Sequence, residues 1–226
     1  MSWSLVVPLK PLSRAKSRLA DAASDGLRPG LALAFAQDTV SAALACPGVR
    51  DVVVVTDDPL AAAELSALGA STVPDSPGNG LNAALMHGVA AVRSRRPEAA
   101  VAALNADLPA LRPAELQRVL SAAANFPRAF LADATGIGTT LLAAAPKREL
   151  NPAFGGPSRA RHRATGAHDI LLADVISVRQ DVDTGLDLRA ALELGVGPHT
   201  AALLRPGGPP PSAPCAPPTS SPTPRG

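Results

Sequence analysis

At 226 residues the chain can hold one α/β domain with a substantial core and some sequence to spare. Apolar residues supply 46% of it and aromatic ones 2%, with no tyrosine, so aliphatic side chains and alanine must fill the interior, and stacking platforms for single-stranded nucleic acid are missing. A net charge of +2 argues against a nucleic-acid partner, and two distant cysteines, Cys46 and Cys215, argue against a disulfide framework or a zinc site.

The opening residues lack an apolar core suited to a signal peptide, and no apolar run approaches the ~20 residues of a membrane span. The expectation is a cytoplasmic protein with no membrane partner. In chain order, Trp3 to Pro8 reads as a first strand. The loop after it carries Lys10, Arg14, Lys16 and Arg18. In many α/β nucleotide-binding proteins a loop in this place holds phosphates, its cations neutralising the oxygens. It lacks the glycines of a Walker A or dinucleotide fingerprint, and taken alone the commoner fate of a short charge run is solvation.

Apolar residues from Leu31 to Leu44 recur at helical spacing, and Pro47-Gly48 lies just beyond them. Val52 to Val55 is a β-branched run suited to a strand buried on both faces. A helix follows from Pro59 to about Leu68, then a short strand at Ser71 to Val73. Past the turn Asp75 to Gly80, Leu81 to Arg93 forms an amphipathic helix. Asn82 in its first turn either caps the helix, the default for such a residue, or meets a ligand over the sheet edge.

The stretch Val101 to Leu104 reads as a buried strand that ends in Asn105-Ala106-Asp107, and Pro109 stops further pairing. Ligands collect beyond the carboxyl ends of strands in open α/β sheets. Asp107 is therefore a candidate metal ligand, and it lies too far ahead of the helix beginning at Pro113 to cap it. The alternation of strands and helices up to this point implies a mostly parallel central sheet in a three-layer α/β domain.

Arg128 to Ala132 and Thr139 to Ala144 read as two strands joined by a glycine-containing, hairpin-like connection. Gly155, Gly156, Ser158, Arg159, Arg161, His162 and Arg163 then fall within nine positions. That composition suits either anion binding at a helix N-terminus or a basic surface helix. Ile176 to Val182 reads as a further strand, whose alternation sets Asp181 and Asp183 on one side. Paired carboxylates repel unless a cation is shared, which a divalent metal would resolve; an exposed strand end would also tolerate them. Gly185 to Leu194 is a helix. From Arg205 onward nine of the 24 prolines occur without apolar periodicity. The expected organisation is a catalytic domain at 1–204 and a Pro-rich, disordered tail at 205–226.

A basic loop after strand one, an aspartate ending a central strand and a downstream Asp-x-Asp together describe nucleotidyl transfer, with cations on a triphosphate and carboxylates on Mg²⁺. Val7-Pro8-Leu9-Lys10 with Ala15 to Leu19, Gly80 to Leu85, Ala106 to Leu111, Gly136 to Thr140, Phe154 to Ala167, and Asp181 to Thr184 with Asp187-Leu188 occur in order over Ser4 to Leu203. In these motifs the chain resembles the guanylyltransferases of deazaflavin coenzyme F420 biosynthesis, which have the cobalamin/molybdopterin-guanine type of nucleotidyltransferase fold.

That resemblance implies GTP as donor and a small phosphorylated three-carbon acid as acceptor: phosphoenolpyruvate in bacterial members, giving enolpyruvoyl-2-diphospho-5′-guanosine and pyrophosphate, and 2-phospho-L-lactate in archaeal ones. It implies that Asp107, Asp181 and Asp183 hold Mg²⁺. By the same likeness Thr139, Gly155 and Ser158 hold the acceptor, with Thr140 able to exchange with Thr139. Lys10, Lys16 and Arg18 meet the triphosphate, Leu81 and Asn82 lie near the guanine, and Asp107, Lys10 and Lys16 form the catalytic set. A homodimer and handover of product to the next enzyme are further partnerships the resemblance leaves open. The competing readings are the same transfer to 2-phospho-L-lactate or 3-phosphoglycerate, a related transferase acting on a molybdopterin or sugar phosphate, and a non-catalytic GTP-binding interaction protein.

Overall fold

The computed structural model describes residues 1–14, 26–75 and 78–205. Strands β1 (Trp3–Pro8), β2 (Val49–Val55), β3 (Ser71–Val73), β4 (Ala100–Leu104), β5 (Arg128–Ala132), β6 (Thr139–Ala144) and β7 (His168–Asp169) form one sheet in the order β3-β2-β1-β4-β6-β5-β7. β1 pairs parallel with β2 and β4, β2 with β3, and β5 with β7, whereas β6 runs antiparallel to both β4 and β5. The mostly parallel sheet is as expected, and the single reversed strand has a consequence for the site.

Helices α1 (Arg28–Leu44), α2 (Pro59–Ala67) and α4 (Pro113–Ala123) cover one face, where Leu5, Val7, Val52, Val54, Ala102 and Leu104 meet Val40, Leu65 and Leu116. Helix α3 (Leu81–Arg95) covers the other, packing Leu85, Val89 and Val92 on Val6, Val53, Val55 and Val101. Alternation along each strand sends successive side chains to opposite layers, which is why the valine runs contain no polar position. Among the described residues no helix is long and apolar enough to cross a membrane.

α3 lies against the sheet at Gly88, where an added Cβ would stand 2.4 Å from Val6 Cγ1 and 2.8 Å from Val55 Cγ2. These branched methyl groups belong to buried strands and cannot swing aside. Overpacking costs about 1–3 kcal/mol, against about 1 kcal/mol gained in helix propensity when glycine becomes alanine. Gly88→Ala is therefore expected to lower the free energy of unfolding by up to about 2 kcal/mol, read as a lower denaturant midpoint at unchanged slope.

One expected element is different. Ile176 to Val182 is not a strand: Ile176–Arg179 forms a short helix, α6, and the chain runs on without ladder pairing. The cause is tertiary. Ser177 donates from its N–H and its hydroxyl to buried Glu115 Oε2, both at 2.8 Å. Arg179 donates to the carbonyls of Ala132 (2.7 Å), Ile170 (3.2 Å) and Leu172 (2.9 Å). Those bonds reward a helical turn in a β-branched stretch. Sequence periodicity also gave no sign of β7 or of the last helix, α8 (Pro198–Leu203), which follows α5 (Ser158–Ala164) and α7 (Gly185–Leu194) in the chain. α8 is held to α1 through buried Asp38, whose carboxylate accepts from the N–H groups of His199 (3.0 Å) and Thr200 (2.9 Å).

Candidate active site

The carboxyl edge of the central strands gathers segments far apart in the chain. β4 ends there, and its pairing with β6 continues one step further, Asn105 N–H donating to Thr140 O at 3.0 Å. Asp107 follows in a loop held from beneath by Thr39 of α1. The Thr39 hydroxyl lies within reach of the carbonyls of Phe35 (2.7 Å) and Ala106 (3.2 Å) and accepts from Leu108 N–H (3.0 Å). Asp107 Oδ1 is sealed from solvent.

The Asp-x-Asp segment is tied to this loop. Val182 N–H donates to the Asp107 carbonyl at 3.0 Å, and Asn105 Nδ2 donates to Asp181 Oδ2 at 3.3 Å. Val182 is fully buried with Leu31, Phe35 and Leu188, so Asp181 and Asp183 flank an anchored apolar residue although no strand forms. Asp183 leads into α7, where Thr184 and Asp187 form a capping box; Asp187 Oδ2 accepts from the N–H groups of Thr184 (2.7 Å) and Asp183 (3.1 Å). Asp187 thereby orients the turn that carries Asp183.

Among the described residues no group of three or more His, Cys, Asp or Glu side chains is gathered to hold a metal ion. The chain brings Asp107 and the Asp181–Asp183 segment together by backbone pairing without closing their carboxylates into a cage. Their donors are all oxygen, the chemistry of a hard divalent cation, and Mg²⁺ in particular takes one or two carboxylates and leaves its remaining positions to substrate phosphates and water. The residues present fit such an ion.

Across the same edge lies a second group. β6, being antiparallel, begins where β4 ends, which puts Thr139 beside the Asp107 loop. Ala132 pairs with Thr139 and Leu131 with Leu141, so Thr140 is the extra residue of a bulge. Thr139 therefore falls on the face of Phe130 and meets buried His162 of α5, Oγ1 to Nδ1 at 3.0 Å. The other ring nitrogen, Nε2, accepts from Ala153 N–H at 2.9 Å. Burial first, and the nearby Arg128 guanidinium second, push the His162 pKa down to about 4. Phe154, Gly155 and Gly156 follow Ala153, and Gly155 has a φ of +96° that a residue with a Cβ would adopt only under strain. Ser158 is buried at the start of α5.

Asn82 does not cap α3; Gly80 occupies that position. Its amide instead clasps the backbone of Phe154, Oδ1 accepting from the N–H at 2.9 Å and Nδ2 donating to the carbonyl at 3.2 Å. Leu81 packs at the edge of the α3 core. The arginines of α5 divide: Arg159 and Arg163 pair with Asp169 at 3.0 and 2.5 Å, as a basic surface helix does, while Arg161 turns toward Gly156. Lys10 is exposed just past β1, with the chain there fastened by Leu9 N–H to Val55 O and Leu12 N–H to Asp58 Oδ2, both at 2.9 Å. Lys16, Arg18 and the tail from 206 onward lie outside the described residues.

Two residues of this site had no role in the sequence reading. Thr39 is a lone hydroxyl in an apolar helix and carries no signal. His162 does carry one, since it follows Ser158 by four residues and shares its helix face.

The comparisons with known proteins bear on this arrangement. The family described as guanylyl transferase CofC like matches residues 3–207. A Streptomyces coelicolor protein named phosphoenolpyruvate guanylyltransferase is 73% identical over 203 residues, spanning 90% of this chain and 96% of its own. The chain belongs to the CofC-like guanylyl transferase family. As a CofC-like protein it is an enzyme of the nucleotidyltransferase class. Among solved structures, a nucleotidyl transferase from Methanothermobacter thermautotroptrophicus is 25% identical with a TM-score of 0.63 over 85% of this chain and 97% of its own. A Mycobacterium tuberculosis protein solved as a manganese complex is similar in fold at 19% identity, with a TM-score of 0.53 over 85% of this chain and 99% of its own.

Proposed function

We propose that this enzyme moves GMP from GTP onto phosphoenolpyruvate, releasing pyrophosphate and forming enolpyruvoyl-2-diphospho-5′-guanosine for deazaflavin coenzyme F420 biosynthesis. The observation that carries the reading is the bond from Val182 N–H to Asp107 O. It joins the two acidic segments at the sheet edge that also holds Lys10 and the Thr139–Gly155 group. The Streptomyces coelicolor relative and the family support the same reaction.

In this reading Asp107, Asp181 and Asp183 would hold Mg²⁺, which when bound neutralises charge on the triphosphate. Lys10, with Lys16 and Arg18, meets the triphosphate oxygens. Leu81 borders the guanine, while Asn82 acts by shaping the Phe154–Gly155 turn. Thr139, Gly155 and Ser158 hold the acceptor, Thr139 rather than Thr140 because the bulge turns Thr139 toward α5. The acceptor phosphate is already ionised near neutral pH, so its oxygen attacks the α-phosphorus in line without a general base. Catalysis is positioning and charge neutralisation. In this reading the catalytic unit is 1–204, with 205–226 outside it.

A coupled pyrophosphate assay tests this, pairing GTP or ATP with phosphoenolpyruvate, 2-phospho-L-lactate or 3-phosphoglycerate. The expected result is turnover with GTP and phosphoenolpyruvate well above every other pair. GTP binding without pyrophosphate release would mean a non-catalytic nucleotide binder, and preference for another acid would correct the acceptor.

A further inference from the structure

We infer that His162 is a positioning residue of the acceptor subsite: its Nδ1–H occupies the Thr139 oxygen and leaves the Thr139 O–H proton to be donated to the anionic acceptor. The inference deepens the proposed function and rests on Thr139 being an acceptor contact.

A backbone N–H can only donate, so Ala153 N–H at 2.9 Å requires a lone pair on His162 Nε2. A neutral imidazole with a bare Nε2 carries its proton on Nδ1. Nδ1 faces Thr139 Oγ1 at 3.0 Å, so the ring donates and the hydroxyl oxygen accepts. The hydroxyl's own proton then cannot point at the ring and is left for another acceptor. A phosphate or carboxylate oxygen is such an acceptor, and a donor aimed in advance costs no reorganisation on binding.

The ring is itself held in place. It is fully buried, with Phe154 edge-on at 5.0 Å between centroids and Phe130 tilted at 5.7 Å. Burial and the Arg128 charge keep it neutral at physiological pH, so the donor direction does not reverse. The imidazole thus links two parts of the subsite. Nδ1 sets the hydroxyl of β6, and Nε2 fixes Ala153, next to the Phe154 backbone clasped by Asn82.

The test combines NMR with steady-state kinetics on the full chain. The ¹⁵N-coupled imidazole resonances of His162 are expected to show a protected Nδ1–H and an unprotonated Nε2. The opposite tautomer would overturn the inference whatever the acceptor proves to be. His162→Gln can offer its carbonyl oxygen to Ala153, but its amide nitrogen sits on the terminal carbon and not at the ring's Nδ1 position facing Thr139. It is expected to raise KM for phosphoenolpyruvate about tenfold with KM for GTP unchanged. Thr139→Val should raise the same KM at least as much, Thr139→Ser should restore it, and the double variant should be no worse than Thr139→Val alone. Thermal midpoints identify any variant that fails to fold. If Thr139→Val leaves the acceptor KM unchanged, the acceptor role of Thr139 fails and the inference falls with it. If Thr139→Val raises it while His162→Gln does not, only the His162 inference is overturned.

Discussion

Asp107→Ala is expected to lower turnover by about 10³-fold or more while leaving the thermal midpoint nearly unchanged. The two halves of this result come from different atoms of one residue. The Asp107 carbonyl, not its carboxylate, accepts from Val182 N–H, and the flanking Ala106 carbonyl and Leu108 N–H are met by Thr39. Alanine keeps every one of these backbone bonds. What it loses is a carboxylate at the carboxyl end of β4, where a divalent cation would be held and charge on the triphosphate neutralised. Differential scanning calorimetry beside the pyrophosphate assay separates the two effects. Near-normal turnover in Mg²⁺ would remove Asp107 from the catalytic set.

Stability is expected to fall by up to about 3 kcal/mol as pH drops from 6.5 to 4 through His162 alone. The folded-state pKa is pushed down to about 4 from an ordinary 6.5, chiefly by burial and secondarily by Arg128. Between those values the unfolded chain binds a proton that the folded chain refuses, so stability rises with pH across the window. The contribution is fully present above pH 6.5 and is lost as pH falls toward 4. Protonation would also place an N–H of the ring against Ala153 N–H, a donor facing a donor. Urea titrations at a series of pH values check this: the slope of unfolding free energy between pH 4 and 6.5 should be steeper for the native chain than for His162→Gln. Equal slopes would mean that His162 titrates normally.

The regular elements were legible because their signals are local. Valine runs reported strands buried on two faces, helical spacing reported α1, α3 and α4, and glycines between Arg128–Ala132 and Thr139–Ala144 reported a reversal. The acidic segments stood out as polar residues at the ends of apolar runs. The motif resemblance groups them. Asn82 shows where such reading stops. Its place in a first helical turn suggested capping, yet its partner is a backbone 72 residues away.

The amino-acid sequence by itself determined most of the strands and helices, and which residue types stand at the ends of the apolar runs. Hydrophobic period and turn chemistry act over a few residues and need no distant partner. Only the tertiary structure decided that β6, the reversed member of the β5–β6 pair, lies beside β4, delivering Thr139 to the edge where β4 releases Asp107. It also decided that Ile176–Arg179 coils instead of extending, because Glu115 and the carbonyls around Arg179 reward the turn. Hydrogen bonds across the fold are blind to sequence distance, and no local pattern foretells which lone hydroxyl will close them.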